Sequence, residues 1–178
     1  GTSIQAIAGA AGVSKPTLVY HFGTKEGLHN AVIDAVVAHW TAELPRLMTA
    51  ASAGGPRVDA LLDAFFVFFR RHPDRARLLL REALDRPEAL ATRVRRDLGP
   101  WTGLLSQAVG MGQSSGLLRA EVDGPAFIVL IIAAALGVVA LGEQAGAMVT
   151  PAPTLDAQQA ELIRVARTAL LTPRLQEP

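Results

Sequence analysis

The side chains able to do chemistry cluster at one end of the chain. Gln5, Ser14, Lys15, Thr17, Tyr20, His21 and Lys25 are donors and acceptors packed into about twenty positions. Lys15 can donate to guanine O6 and N7, and a glutamine such as Gln5 can pair with adenine in a bidentate way. Thr17 and Val19 can pack against a thymine methyl. Lys25 sits at a helix start, where a cation opposes the dipole unless an anion is bound there. Side chains of these types could read a duplex, and their spacing on the elements that carry them decides whether they do.

The rest of the chain offers no catalytic constellation. It has no cysteine, so disulfides, thiolate zinc and cysteine nucleophiles are excluded. His29, His39 and His72 lack metal-ligand spacing, so no metal is expected. There is no Gly-x-Ser-x-Gly, no P-loop and no dinucleotide fingerprint. Neither an enzyme nor a cofactor is expected. The net charge of +1 says nothing for nucleic acid, so DNA binding can come only from a local motif.

The elements that must position these groups are helices. Half of the 178 residues are apolar, which supplies a core. Their spacing repeats at three to four, giving an all-α reading with about nine helices. The first runs from Thr2 to Ala10, with Thr2-x-x-Gln5 as a capping box. Gly12 breaks it at a turn that needs positive φ. The second starts at Ser14, with Pro16 in its first turn, and ends at Phe22-Gly23. Ile4, Ile7, Val13 and Leu18 pin the pair, Ala8 allows their close crossing, and Phe22 is expected in the core. This is the arrangement a helix-turn-helix requires.

Thr24 caps a third helix, with Leu28, Val32, Val36, Trp40, Leu44 and Leu47 along one side. Ser52 to Pro56 is a loop. Helices then span Pro56 to Arg71 and Asp74 to Asp85. The next, Pro87 to Gln113, is expected to be interrupted or kinked at Gly99-Pro100. Gly110 to Gly116 reads as a turn. An apolar helix follows Asp123-Gly124-Pro125, and Thr154 caps the last one to Leu171. The run Ala126 to Leu141 falls short of a bilayer span, so no membrane is expected.

The stretch Thr2-Ser3-Ile4-Gln5-Ala6-Ile7-Ala8-Gly9-Ala10-Ala11-Gly12-Val13-Ser14-Lys15-Pro16-Thr17-Leu18-Val19-Tyr20-His21-Phe22-Gly23-Thr24-Lys25-Glu26-Gly27-Leu28 resembles the DNA-binding signature of the TetR family of bacterial regulators. Gly116-Leu117-Leu118-Arg119 and Asp123, followed by the apolar helix, is a looser likeness. The resemblance implies a helix-turn-helix at 1–28 and a ligand-sensing, dimerising helical body at 29–178. It also implies a further helix before Thr2.

Carried over by position, it puts Lys15, Pro16, Thr17 and Val19 on the groove side. His21, Lys25 and Ser14 would meet phosphates, and Gln5 a base edge or phosphate. Family members usually carry Tyr where this chain has Val19; Tyr20 is turned about 100° from that slot and is kept among the DNA contacts.

The partners implied are an operator duplex, a second copy and a small-molecule effector, in the cytoplasm. Effector-pocket candidates are Phe65, Phe68, Phe69, Trp101, Leu105, Met111 and Phe127, with Arg81, Glu82 or Gln107 as polar contacts. Dimer candidates are Phe127, Ala133, Ala134, Gly137, Leu141, Leu162, Ile163, Ala166 and Leu170, because a helix apolar all round must be covered on every side. The alternative reading is a helical small-molecule-binding or interaction protein with weak or no DNA binding.

Overall fold

The computed structural model describes residues 2–52 and 58–172, which form eight helices and no strand. They are α1 (Ile4–Ala10), α2 (Lys15–Phe22), α3 (Lys25–Ser52), α4 (Val58–Arg70), α5 (Pro73–Asp85), α6 (Pro87–Ser114), α7 (Gly124–Gly146) and α8 (Leu155–Leu170). The expected loop at Ser52 to Pro56 lies largely outside the described residues, as do the side chains of Leu47 and Leu61. The chain divides into two compact units, Gly1–His39 and Trp40–Pro178.

Local chemistry sets most helix ends. Ser3, not Thr2, caps α1: its backbone is extended and its Oγ accepts the Ala6 N–H at 3.1 Å. Asp123 caps α7 through the Ala126 N–H at 3.0 Å, and Thr154 caps α8 through the Ala157 N–H at 3.1 Å. The expected interruption at Gly99-Pro100 does not occur, and α6 runs unbroken to Ser114. Pro100 removes one amide, but Gly99 has no Cβ to clash with the proline ring, so the helical conformation survives. The expected turn at Gly110 is therefore helical too, and the chain turns only at Gly116, where φ is +74°.

In the second unit the core is aromatic on α4 and aliphatic on α7. Phe65, Phe66, Phe68 and Phe69 pack with Ala76 of α5, Ile131, Ala135, Val139 and Ala140 of α7, and Ala166 of α8. Trp40 meets Phe65 edge-on at 5.3 Å and Phe68 at 5.1 Å, the tilted geometry that aromatic quadrupoles favour. A smaller cluster of Leu118, Leu170 and Leu171 ties the end of α8 to the turn after α6. There the Arg119 N–H donates to the Leu170 carbonyl at 2.9 Å, and the Thr172 N–H to that of Leu117 at 3.2 Å.

Among the described residues, one charged side chain is buried. Glu82 on α5 faces Arg93 of α6 at 3.4 Å, and the two hold each other in a desolvated place. The N-cap of α7 gives a direct stability test. Asp123→Ala orphans one helix-end amide at about 1 kcal/mol. For a chain of this size that lowers Tm by about 2–4 °C, read by thermal melting with circular dichroism.

Candidate nucleic-acid interface

The first unit builds its site from two short helices and a fixed turn. Ala8, fully buried, lies under Leu18, the buried residue of α2, and α1 packs on α2. Gly12 takes φ +67°, and the Val13 N–H returns to the Ala8 carbonyl at 3.0 Å. The turn thus needs the residue with no steric bar to positive φ. Ser14 then caps α2: its Oγ accepts the Thr17 N–H at 3.2 Å and lies 2.7 Å from the Thr17 hydroxyl. Pro16 stands in the first turn, where its missing amide has no helical acceptor to lose.

Leu18 defines the inner side of α2, and helical geometry fixes the rest. At about 100° per residue, Pro16 and Tyr20 fall opposite Leu18, with Thr17 and Val19 on the two flanks. The exposures agree: Tyr20 is 85% exposed and stands at the centre of the outer face. Its ring meets that of His21 edge-on at 5.3 Å. Lys15 and His21 are exposed nearer the inner side, at the two ends of the helix.

Phe22 departs from expectation. It is 40% exposed rather than core, and Val13 is likewise exposed. Phe22 is the last residue of α2, and Val13, expected to pin the two helices, lies in the turn between them.

Beyond α2, Thr24 caps α3 by accepting the Gly27 N–H at 2.9 Å. Lys25 is the first residue of α3 and is exposed. Among the described residues neither Lys15 nor Lys25 makes an ion pair. Gln5 is exposed on α1. The outer surface of the unit thus presents two free ammonium groups, a phenol and an imidazole, with Glu26 as the carboxylate nearest in sequence. Ammonium groups of this kind bind phosphates as point charges.

The effector-pocket candidates are not brought together around a cavity. Phe65, Phe68 and Phe69 are core, in contact with Trp40 and each other. Trp101 and Leu105 are half-buried on α6, and Met111 is 67% exposed. Phe127 bridges the two core clusters. Arg81 and Gln107 are exposed, and Glu82 is occupied by Arg93. Among the described residues, a cleft of about 180 Å³ is lined by Phe66, Arg70, Pro73, Val138, Val139, Leu155 and Gln159. It is smaller than a drug-sized site. At its rim Arg70 is held by Asp156 at 2.5 Å and Gln159 at 2.9 Å.

The dimer candidates divide. Ala166 and Leu170 lie inside the protomer, in its two core clusters, so neither is free to meet a partner. Phe127, Ala134, Gly137, Leu162 and Ile163 are half-buried, while Ala133 and Leu141 are exposed. Sequence reasoning missed Val129 and Leu130, which are 68% and 65% exposed, and Val165 on α8. Val129, Leu130, Ala133, Gly137 and Leu141 share one stripe of α7 at helical spacing. The helix is longer than the expected apolar run. Its 23 residues would suffice in length and composition to cross a membrane, but here it packs on α4, α5, α6 and α8.

Comparison with known proteins places both units. Residues 1–32 match the family model for bacterial regulatory proteins of the tetR family. Residues 56–169, more than half the chain, match the model for a tetracyclin repressor-like C-terminal domain. A search of curated proteins finds no match.

Among solved structures, a TetR transcriptional regulator from Chloroflexus aurantiacus J-10-FL is similar at 28% identity and TM-score 0.60, over 97% of this chain and 87% of that one. A protein from Rhodococcus sp. assigned to the same family is similar at 18% identity and TM-score 0.65, over 95% of this chain and 88% of that one. A third, from Mesorhizobium loti MAFF303099, gives 18% identity and TM-score 0.58, over 97% and 88%.

Proposed function

The chain belongs to the TetR family of bacterial regulatory proteins, and from that premise we propose that it is a repressor that binds a pseudo-palindromic operator as a homodimer and leaves it when a small molecule binds the body. The observation that carries the DNA half is the outer face of α2. It presents Tyr20 at its centre, with Lys15 and His21 exposed beside it at the two ends of the helix, over a turn locked by Gly12. Lys15 and Thr17 reach base edges, while Ser14, His21 and Lys25 hold phosphates. Tyr20 joins them from the middle of the face, and Gln5 from α1.

The observation that carries the dimer is the uncovered apolar stripe of α7, continued by Val165 of α8. A second copy related by two-fold symmetry covers the same stripe with itself. It does so without the hydrocarbon that a spanning helix would need. The protein then acts in the cytoplasm, where its operator is. The effector enters the body and favours a reader spacing that no longer fits the duplex.

Selection of a randomised duplex library with the full chain tests the reading. The expected product is an inverted repeat whose half-site centres lie about 10 base pairs, or a multiple of that, apart. Enriched duplexes without two-fold symmetry would remove the dimeric reader. No enrichment at all would favour a helical binding protein without DNA activity.

A further inference from the structure

The joint between α2 and α3 is closed by two glycines with different jobs. Gly23 takes φ +70° and ψ −65°, and the Thr24 N–H donates to the Phe22 carbonyl at 2.7 Å. That is a γ-turn of the positive-φ kind, which a residue with a side chain adopts only under strain. Gly27 lies one helical turn on, in the first turn of α3, with ordinary helical backbone. What marks it is space.

A β-carbon on Gly27 would fall on the Phe22 carbonyl oxygen, far inside any normal contact, and 3.3 Å from the Phe22 carbonyl carbon. Both are backbone atoms, so no side-chain rotation relieves the clash. The other glycines in open helix surface, Gly99, Gly103 and Gly137 among them, have nothing within 4 Å of such an atom.

We infer that Gly27 is a positioning residue for DNA reading, because its missing side chain lets the end of the recognition helix sit against the first turn of α3. The inference rests on the reading of α1 and α2 as the duplex reader. The Phe22 oxygen already accepts from Thr24, and the Gly27 amide is held by the Thr24 hydroxyl at 2.9 Å. The three residues therefore form one linked joint.

A methyl at position 27 must push that oxygen back by about 1 Å to reach ordinary contact. The recognition helix is about 12 Å long, so a tilt imposed at its end carries through to Thr17 and Lys15. Base-edge contacts are lost by such a tilt. Contacts to phosphates, which any duplex supplies, are not.

The test is Gly27→Ala in the full chain, beside Gly103→Ala, whose methyl enters open space on α6. The first readout needs no DNA. Hydrogen exchange of the Thr24 amide should quicken by about tenfold in Gly27→Ala while amides of α1 and of α4 to α8 hold their protection. The second is affinity for the duplex that the wild-type chain selects, against a scrambled duplex of the same length. Gly27→Ala should lose about tenfold or more on the selected duplex and less than about twofold on the scrambled one. Gly103→Ala should match the wild type on both.

Unchanged exchange at Thr24 would show a slack joint and overturn the inference. So would quickened exchange with intact selectivity, or loss of protection throughout α1 and α2, which would make Gly27 a residue of general stability. A wild-type chain that selects no duplex would sink the DNA reading itself, and the exchange result would still report on the joint.

Discussion

Leu130→Asp is expected to separate the proposed dimer into monomers and to weaken operator binding by about 10²- to 10⁴-fold. The reason begins with α7. Its apolar residues run around the whole circumference, and the protomer buries Ile131, Ala135, Val139, Ala140 and Gly142 while Val129, Leu130 and Leu141 stay exposed. Leu130, 65% exposed, stands in the middle of what remains, between Val129 and Ala133. In a dimer its counterpart lies nearby, so one substitution puts two carboxylates into an apolar contact. Charge burial of that kind is not tolerated, and the copies separate.

Within one protomer the same change is mild, because the position is already open to water. The DNA effect follows from geometry. Two linked readers bind the second half-site at high effective concentration, and a monomer loses that advantage entirely. Sedimentation at micromolar concentration and fluorescence anisotropy on the selected duplex read the two effects. A variant that stays dimeric would place the interface elsewhere.

The helix-turn-helix was legible because its determinants are local. Ala8, Gly12, Ser14 and Leu18 each act within a few residues, and each does in the structure what its type suggests. The cap of α1 slipped by one residue because Thr2 and Ser3 are equally able to cap. Only the extended backbone of Ser3 decides between them.

Phe22 was misread because the size of a side chain predicts burial only when a neighbour is there to cover it. Of the interruption or kink expected at Gly99-Pro100, the interruption does not occur, because the Cβ-free Gly99 removes part of the usual clash. The body was less legible. Apolar residues at three-to-four spacing serve core, pocket and interface alike, and only packing sorts them. Phe65, Phe68 and Phe69 became core because Trp40 reaches them from another helix. On α7 and α8 apolar spacing does not rank the faces, so the sequence puts Ala166 and Leu170 of α8 at the interface and passes over Val129 and Leu130 of α7.

The most direct test of the central claim removes the cationic and imidazole groups from the reader together. The triple variant Lys15→Ala, His21→Ala and Lys25→Ala should bind the selected duplex about 10²- to 10⁴-fold more weakly, given two copies of a base-reading Lys15. The salt dependence carries the sharper signature. Each phosphate neutralised contributes about 0.9 to the slope of log affinity against log salt. Lys25, the lysine assigned to a phosphate, in each of two protomers should therefore lower that slope by about 2.

Melting temperature should hold, since all three side chains are exposed and neither lysine is ion-paired among the described residues. The decisive measurement is thus the affinity of wild type and triple variant across a salt series. A steep slope that flattens in the variant is the predicted result. Equal affinities and equal slopes would contradict the assignment of α2 and the start of α3 as the DNA-reading surface.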